Sequence, residues 1–486
     1  MKSGAPFRFR SPSLIATVMV FMGPAALFSA DERFLPRSAL PGVRSIDTIE
    51  HWKMPWVDVE ALRAEDVERE NSGVPVAPRF AKNILVDFSP DNSGTWETLD
   101  DGSRLWRLRV SSPGALNISL GMEQFDLPAG TAFWVHAPDG SGIQGPYTAA
   151  NRNALGGLST AVVLGDELVA ELHAPADAPI GLRISSVNHG YRGFGERRGG
   201  AFSAKRGSCN VNVVCPEGDL FADQIRSVAR YTFSEGMASY LCTGQLINNT
   251  SEEKTPYLYS AGHCVQTGTA AATVVAYWNY QTAACEEWSG GSLSQNQSGA
   301  TLIAHSFNSD TDFQFDFALL MLDHVPDDAF NVFYIGWDRS GQIPDSTVTI
   351  HHPSGDQKSI SFDNDPPAIT TVGGSASPGH GRFWRIHDWD VGTTEGGSSG
   401  ACLLDESSGL CIGDLSGGYA ACGNDLPDWF ARLHSQWTGE GSSETRLSDW
   451  LDPAGTGALY VNGADPSIFA DGFETGETTK WSNTVP

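Results

Sequence analysis

The stretch LYSAGHC, residues 258–264, sets a histidine between small residues and a cysteine at the end of an apolar run. A lone histidine in such a place is more often structural than chemical, so His263 has to be read against the rest of the chain. Two other stretches bear on it. FDFALLML, residues 315–322, puts Asp316 at the head of an apolar run, where a carboxylate is avoided unless it has a partner. EGGSSGA, residues 395–401, sets Ser399 inside a glycine-bounded turn. Histidine, aspartate and serine in that order, tens of residues apart, is one of the chain orders in which a nucleophilic triad occurs.

Each residue type meets a chemical need. A serine hydroxyl is a poor nucleophile until a base takes its proton, and histidine titrates near neutrality, so it can accept and return that proton. A buried carboxylate fixes the imidazole tautomer and steadies the imidazolium. Glycines around Ser399 let the N–H groups of Gly397 and Ser399 converge as an oxyanion hole, where losing one donor costs about 10²–10³ in rate. Ser398 is the alternative nucleophile, but the second serine is the one with the Gly-x-Ser-Gly flanks. Taken singly, His263 reads as structural, Asp316 as a surface or capping carboxylate and residues 396–400 as a linker. Their order and local contexts together favour the triad.

Composition narrows the class. A chain of 486 residues has room for two or three domains. With 18% charged residues and 53 glycines, it favours many short strands over a helix bundle. A net charge of −27 without a basic stripe argues against a nucleic-acid partner. The acidity reads as solubility of an exported chain or, more weakly, as attraction for cationic substrates. Lys2, Arg8 and Arg10 precede an apolar run over residues 14–28 that is broken by Gly23 and Pro24. This is the pattern of a signal peptide, residues 1–30, cleaved between Ala26 and Ala30, and no membrane span is expected. The eight cysteines all lie at or beyond Cys209, which in an oxidising compartment suggests disulfides. No cofactor or metal is expected, since no cysteine–histidine spacing suits zinc. His351 and His352, adjacent on a strand, point to opposite faces and make a poor chelate.

Along the chain, residues 31–206 form a cysteine-free, β-rich region and linker. TLDDGSRLWRLRV, residues 98–110, pairs an Asp101-Gly102 turn with alternation of Trp106, Leu108 and Val110 against Arg107 and Arg109. GTAFWVHAPDGSG, residues 130–142, repeats the theme, and the whole predicts a β-sandwich. GERRGGAFSAKR, residues 195–206, reads as an exposed linker open to proteolysis at Lys205 and Arg206. Residues 207–463 alternate β-type runs with Gly/Ser/Asn loops and end in SSETRLSDWLDP. There Leu447, Trp450 and Leu451 predict a helix stopped by Pro453. Residues 464–486 are a polar tail.

These residues also carry a family resemblance. CTGQLINNT (242–250) with YSAGHC, FDFALL and GGSSGA resemble trypsin-fold serine proteases. RGSCNVNVVCPEGD (206–219), AYWNYQ (276–281), TIHHPSGDQKSIS (349–361) and RLSDWLDPAGTG (446–457) resemble, more closely, the bacterial lysyl endopeptidases of that superfamily. The similarity covers nearly all of residues 207–463. The first half resembles, more loosely, the prodomain of such enzymes. The implied fold is all-β, two six-stranded antiparallel barrels with the triad in the cleft between them. The implied function is a secreted endopeptidase acting on proteins or peptides through an acyl-enzyme, with the prodomain as intramolecular chaperone and inhibitor.

The resemblance further implies disulfides Cys209–Cys422, Cys215–Cys285 and Cys242–Cys264, the last closing a loop of about 22 residues worth roughly 3 kcal/mol. Cys402 and Cys411 remain, bracketing a short hairpin, and are expected to pair. Trypsin binds a substrate cation six residues before its nucleophile, but Thr393 stands there. Lysyl endopeptidases take the pocket acid from a later strand, and PDWFARLHSQW (427–437) places Asp428 in that role. The competing reading of Asp428 is a solvated loop carboxylate after Pro427. Ser416, Gly417 and Gly418 would pair with substrate backbone. The family's tryptophan and histidine beside the triad match Val372 and Ser416, so Lys and Arg both stay open at the cleaved position. Ser398 stands where trypsin-like zymogens have the aspartate that pairs with a new N-terminus. Activation is therefore expected through prodomain removal at the Lys205-Arg206-Gly207 junction, not through insertion of a freed amine. Two other readings stand beside these: a non-catalytic homologue used for binding, and an N-terminal adhesion or sugar-binding module using Trp106 and Trp134, against which a core role for both tryptophans is favoured. IFADGFETGETTKWS, residues 468–482, resembles a tail of exported bacterial proteins.

Overall fold

Arg104–Ser111, the strand of the Trp106/Leu108/Val110 alternation, lies at the centre of the N-terminal region in the computed structural model. The structure describes residues 35–39, 42–192, 194, 206–287, 290–308, 315–373 and 380–466. The expectations for residues 1–30, for Lys205 and for the tail beyond residue 466 fall outside them. Arg104–Ser111 pairs antiparallel with Glu167–Ala174 and parallel with His51–Lys53, and Ala132–His136 follows on the far side of Glu167–Ala174. A second layer sets Gly181–Gly190 between Asn117–Asp126 and Arg79–Phe88. Leu108, Val110 and Leu172 of the first layer join Ile118, Leu120, Leu182 and Val187 of the second in one buried cluster. Each such side chain stabilises the sandwich by about 1.5–3 kcal/mol relative to exposure.

Trp106 is wholly buried in that cluster and its indole N–H donates to the Ser93 carbonyl at 2.6 Å. Trp134 is buried as well, so neither ring is presented for sugar stacking. The Asp101-Gly102 turn forms as its residues dictate: Gly102 takes φ +81° and its N–H donates to the Leu99 carbonyl. Arg107, on the alternate face, is 1% exposed, because Glu97 and the Arg44 carbonyl bond its guanidinium. The lead also holds a helix that periodicity did not reveal, Val59–Glu70, capped by Asp58 accepting from the Ala61 N–H.

Arg79–Phe88 does not end the sheet. It pairs antiparallel with Ala238–Leu246 of the C-terminal region, in register Ala81↔Ser239 and Lys82↔Ala238. From Pro36 onward the chain is accordingly one compact unit. Ala238–Leu246 continues to Val228–Glu235 and Val275–Trp278 on one path, and to Tyr257–Ser260, Phe317–Leu322 and Ala300–Ser306 on the other. A separate sheet joins Ser359–Asp363, Thr347–His351, Cys402–Asp405, Cys411–Gly418, Asp428–Arg432 and Phe383–Ile386.

Disulfides join Cys209 to Cys422, Cys215 to Cys285, Cys242 to Cys264 and Cys402 to Cys411. The helix expected near the C-terminus is realised only as single turns, Ser443–Thr445 and Ser448–Leu451, because Arg446 between them is extended. Leu447 and Leu451 still bury in the main core. Among the described residues, no helix is long and apolar enough to cross a membrane.

Candidate active site

His263 follows the strand Tyr257–Ser260, and Asp316 immediately precedes the neighbouring strand Phe317–Leu322. Pairing of the two strands brings the residues together. The His263 backbone N–H donates to Asp316 Oδ1 at 2.8 Å, and ring Nδ1 lies 3.0 Å from Oδ2. Asp316 is fully buried, and Phe315 and Asp316 both take positive φ, +68° and +30°. A bulky residue in the left-handed region is strained by roughly 1–3 kcal/mol, a cost the surrounding structure has to hold. Here that conformation turns the carboxylate back onto the imidazole. His263 Nε2 is buried and has no hydrogen-bond partner among the described residues.

Ser399 reaches the same place through Thr243. The Thr243 N–H donates to the Ser399 carbonyl at 2.9 Å, and its hydroxyl donates to the Gly397 carbonyl at 2.9 Å. Thr243 follows Cys242, whose disulfide partner Cys264 follows His263. One residue thus clamps the serine turn to the covalent link behind the histidine. The sequence carries no local signal for Thr243 in this role.

Gly397 adopts φ +98°, and a Cβ there would come within 2.7 Å of the Gly355 nitrogen; only glycine fits. The N–H groups of Gly397 and Ser399 donate to no carbonyl among the described residues. The Ser399 hydroxyl and His263 Nε2 do not bond each other in this state.

Ser398 has a different environment. It is fully buried, 2.7 Å from His351 Nδ1, and it accepts from the Glu395 N–H. His351 Nε2 lies 3.1 Å from the Ser361 hydroxyl, and His352 Nδ1 lies 2.9 Å from the Asp356 carbonyl. Burial lowers the His351 pKa to about 3, so the ring is neutral. These partners make the 351–352 pair a brace for the serine turn. Cys242, His263 and Cys264 also crowd together, but the two sulfurs are joined and neither is a thiolate ligand.

Asp428, 1% exposed, opens the strand Asp428–Arg432 opposite Gly418. Its Oδ2 accepts from Trp389 Nε1 at 2.8 Å and from the Thr394 hydroxyl at 2.7 Å, and its Oδ1 from the Ala420 N–H at 3.3 Å. Burial pushes its pKa up, against these three hydrogen bonds. It is not a solvated loop carboxylate. A cavity of about 660 Å³ is lined by Ser399, Ser416, Gly417, Gly418, Thr394, Val372 and Asp428 together. Sequence reasoning missed Trp389 and Thr394; it weighed Thr393, one residue short of the actual partner.

Arg206 departs from its expected place in an exposed linker. It is 3% exposed, with its guanidinium donating to the Gln357 carbonyl at 3.0 Å and to Ser359 and Asn212. The next residue, Gly207, donates its N–H to Glu395 at 2.6 Å. The fold of the C-terminal region therefore begins at or before Arg206.

The chain is mostly β and holds a buried His–Asp pair tied, through one disulfide, to a serine in a glycine turn. Its C-terminal region is lysyl endopeptidase-like: residues 203–431 match the family model "Lysyl endopeptidase, C-terminal domain". Over 295 residues the chain is 33% identical to a lysyl endopeptidase of Pseudomonas aeruginosa, covering 57% of this chain and 61% of that protein. The chain thus matches about three fifths of that relative's length. Among solved structures, the thermostable serine protease AL20 from an extremophilic microorganism is matched over 43% of this chain and 92% of its own, with 14% identity and a TM-score of 0.31. The protease Anisep of Arthrobacter nicotinovorans is matched over 43% and 90%, with 17% identity and a TM-score of 0.32.

Proposed function

We propose that the C-terminal region is a secreted serine endopeptidase that cleaves after lysine, arginine or both. The observation that carries this reading is one cavity lined by both Ser399 and Asp428, with the Ser399 turn tied to the His263–Asp316 pair through Thr243 and the Cys242–Cys264 disulfide. Ser399 Oγ attacks the scissile carbonyl while His263 Nε2 takes its proton. Asp316 holds the ring through Nδ1 and stabilises the imidazolium. The N–H groups of Gly397 and Ser399 receive the oxyanion. His263 then passes the proton to the leaving amine, and water hydrolyses the acyl-enzyme by the same steps in reverse roles. Asp428, bonded by neutral donors among the described residues, selects a cationic side chain that fills the cavity, with substrate backbone along Ser416, Gly417 and Gly418.

Residues 31–205 are proposed as the prodomain, a chaperone and inhibitor removed on maturation. Lys205 is the favoured cut, since the Arg206 side chain is locked inside the C-terminal region and is not free to enter a cleft. Four disulfides suit an exported enzyme, as the N-terminal signal reading requires. The test is covalent labelling of the purified secreted protein with a fluorophosphonate. The label is expected on Ser399 alone, with the mature N-terminus at Arg206. Label on Ser398, or none on a folded, disulfide-intact protein, would contradict the proposal.

A further inference from the structure

The strand that ties the two regions together leads directly into the site. The Arg79–Phe88 ladder on Ala238–Leu246 extends one step beyond its paired residues, with the Leu241 N–H donating to the Pro78 carbonyl at 3.1 Å. Leu241 adjoins Cys242. Ala77 is buried in the same cluster as Cys242, Ala261 and Cys264, which flank His263. On the other side, a Cβ on Gly396 would sit 3.3 Å from Pro78 Cγ, so Pro78 packs on the turn that carries Ser399. Residues 77–78 therefore cross between the flank of His263 and the serine turn.

Residues 73–76, just upstream, form a wall of the cavity that Ser399 and Asp428 line. Arg69 of the preceding helix anchors the crossing by donating to the Ala77 carbonyl, and its guanidinium lies 5.0 Å from the centre of the Tyr240 ring.

The chemistry of the segment fits an occupant and not a substrate. VPVAP, residues 74–78, contains no cation to reach Asp428, and its two prolines have no N–H to pair with a cleft strand. Val76 lines the cavity, Ala77 turns away into the cluster beside His263, and Pro78 lines the cavity again. Strand addition along the edge of Ala238–Leu246 supplies the backbone hydrogen bonds by which extended peptides are commonly held.

Resting on the endopeptidase reading, we infer that residues 74–78 are a resident inhibitor of the cleft, threaded as a substrate is, with Val76 where a cleaved lysine or arginine would stand. The absence of a cation there is what keeps the Val76–Ala77 bond intact.

The full-length chain carrying Val76→Lys tests this, beside Val76→Glu and the double variant Val76→Lys/Ser399→Ala. Val76 is half-buried, and the glutamate variant controls for the fold under an equal change of polarity. The lysine chain should yield a new N-terminus at Ala77 that neither companion shows. Its hydrolysis of a lysyl peptide reporter should rise by about tenfold or more, since an occupant in the same chain acts at an effective concentration on the order of millimolar. Cleavage at the Lys205 junction with the Val76–Ala77 bond left intact in the lysine variant would overturn the inference. If the unsubstituted secreted protein cuts neither the junction nor the reporter, the endopeptidase reading itself fails, and the inference with it.

Discussion

The N-terminal and C-terminal regions bury carboxylates in opposite ways. Asp66, fully buried in the N-terminal region, accepts from Arg79 and the Tyr191 hydroxyl and lies 2.8 Å from Arg192. Glu171 is bonded by Ser38 and lies 3.6 Å from His136. In the C-terminal region, among the described residues, Asp316 bonds only His263, whose outer nitrogen has no partner, and Asp428 meets neutral donors with no ion pair. A buried charge persists only when hydrogen-bonded, so each of these four is compensated. The difference lies in what is left over. Closed networks spend their bonding capacity on the fold, whereas in the function proposed above those around Asp316 and Asp428 keep one end for a substrate. Covalent support follows the same division, since all four disulfides lie in the region with the open ends.

The sharpest way to break this contrast is to neutralise one aspartate from each region. Asp316→Asn is expected to lower kcat by about 10⁴ through the wrong imidazole tautomer, with unfolding little changed. Asp66→Asn should leave the processed enzyme's kcat unaltered and destabilise the uncleaved chain, by up to about 3–5 kcal/mol if its arginines are left uncompensated. Steady-state kinetics and denaturant unfolding of both variants separate the two outcomes. Equal effects of the two on kcat would dissolve the distinction.

Next in size is Asp428→Asn. It should reduce kcat/KM for lysyl and arginyl substrates by about 2–5 kcal/mol, leaving apolar substrates untouched. Comparing matched peptides that differ only at the cleaved residue measures it directly.

Replacing Cys242 and Cys264 by alanine together should cost roughly 3 kcal/mol of C-terminal stability. It should also lower kcat, because the Thr243 clamp on Ser399 loses its anchor behind His263. The N-terminal sandwich, which has no cysteine, should unfold as before in hydrogen-exchange measurements.

The smallest effect is acid sensitivity. Burial lowers the pKa of His351 from 6.5 to about 3, that of His352 well below 6.5, and that of His189 in the sandwich to about 4. For each, the unfolded chain binds the proton first. Stability is therefore complete above about pH 6.5 and falls as the pH drops from there towards the folded values. Two such groups brace the serine turn and one the sandwich, so exchange protection around residues 351–361 should weaken before that around residue 189.

How much of this was legible in the chain depends on the range of each signal. Local contexts marked His263, Asp316 and Ser399, because glycine turns and a carboxylate heading an apolar run are visible within a few residues. The sandwich was legible from period-two alternation and Asp-Gly turns. The joining of Arg79–Phe88 to Ala238–Leu246 left no such trace: Asn83 and Ser239, which hydrogen-bond there, are 156 positions apart. The same holds for Trp389 and Thr394 on Asp428, for His351 on Ser398, and for Arg206, whose burial depends on Gln357, Ser359 and Asn212. The spacing at 447, 450 and 451 did mark the turn Ser448–Leu451, but extended Arg446 keeps it from joining Ser443–Thr445 into one helix.

Cleavage after a cationic residue requires Ser399 and Asp428 to act in the one cavity they both line. The measurement that meets it most directly is to incubate the purified secreted protein with a mixed peptide library and sequence the cleavage ends, beside a Ser399→Ala control. The expected result is cuts after lysine or arginine that vanish in the control. Cuts that persist in the control, or none at all, would contradict it.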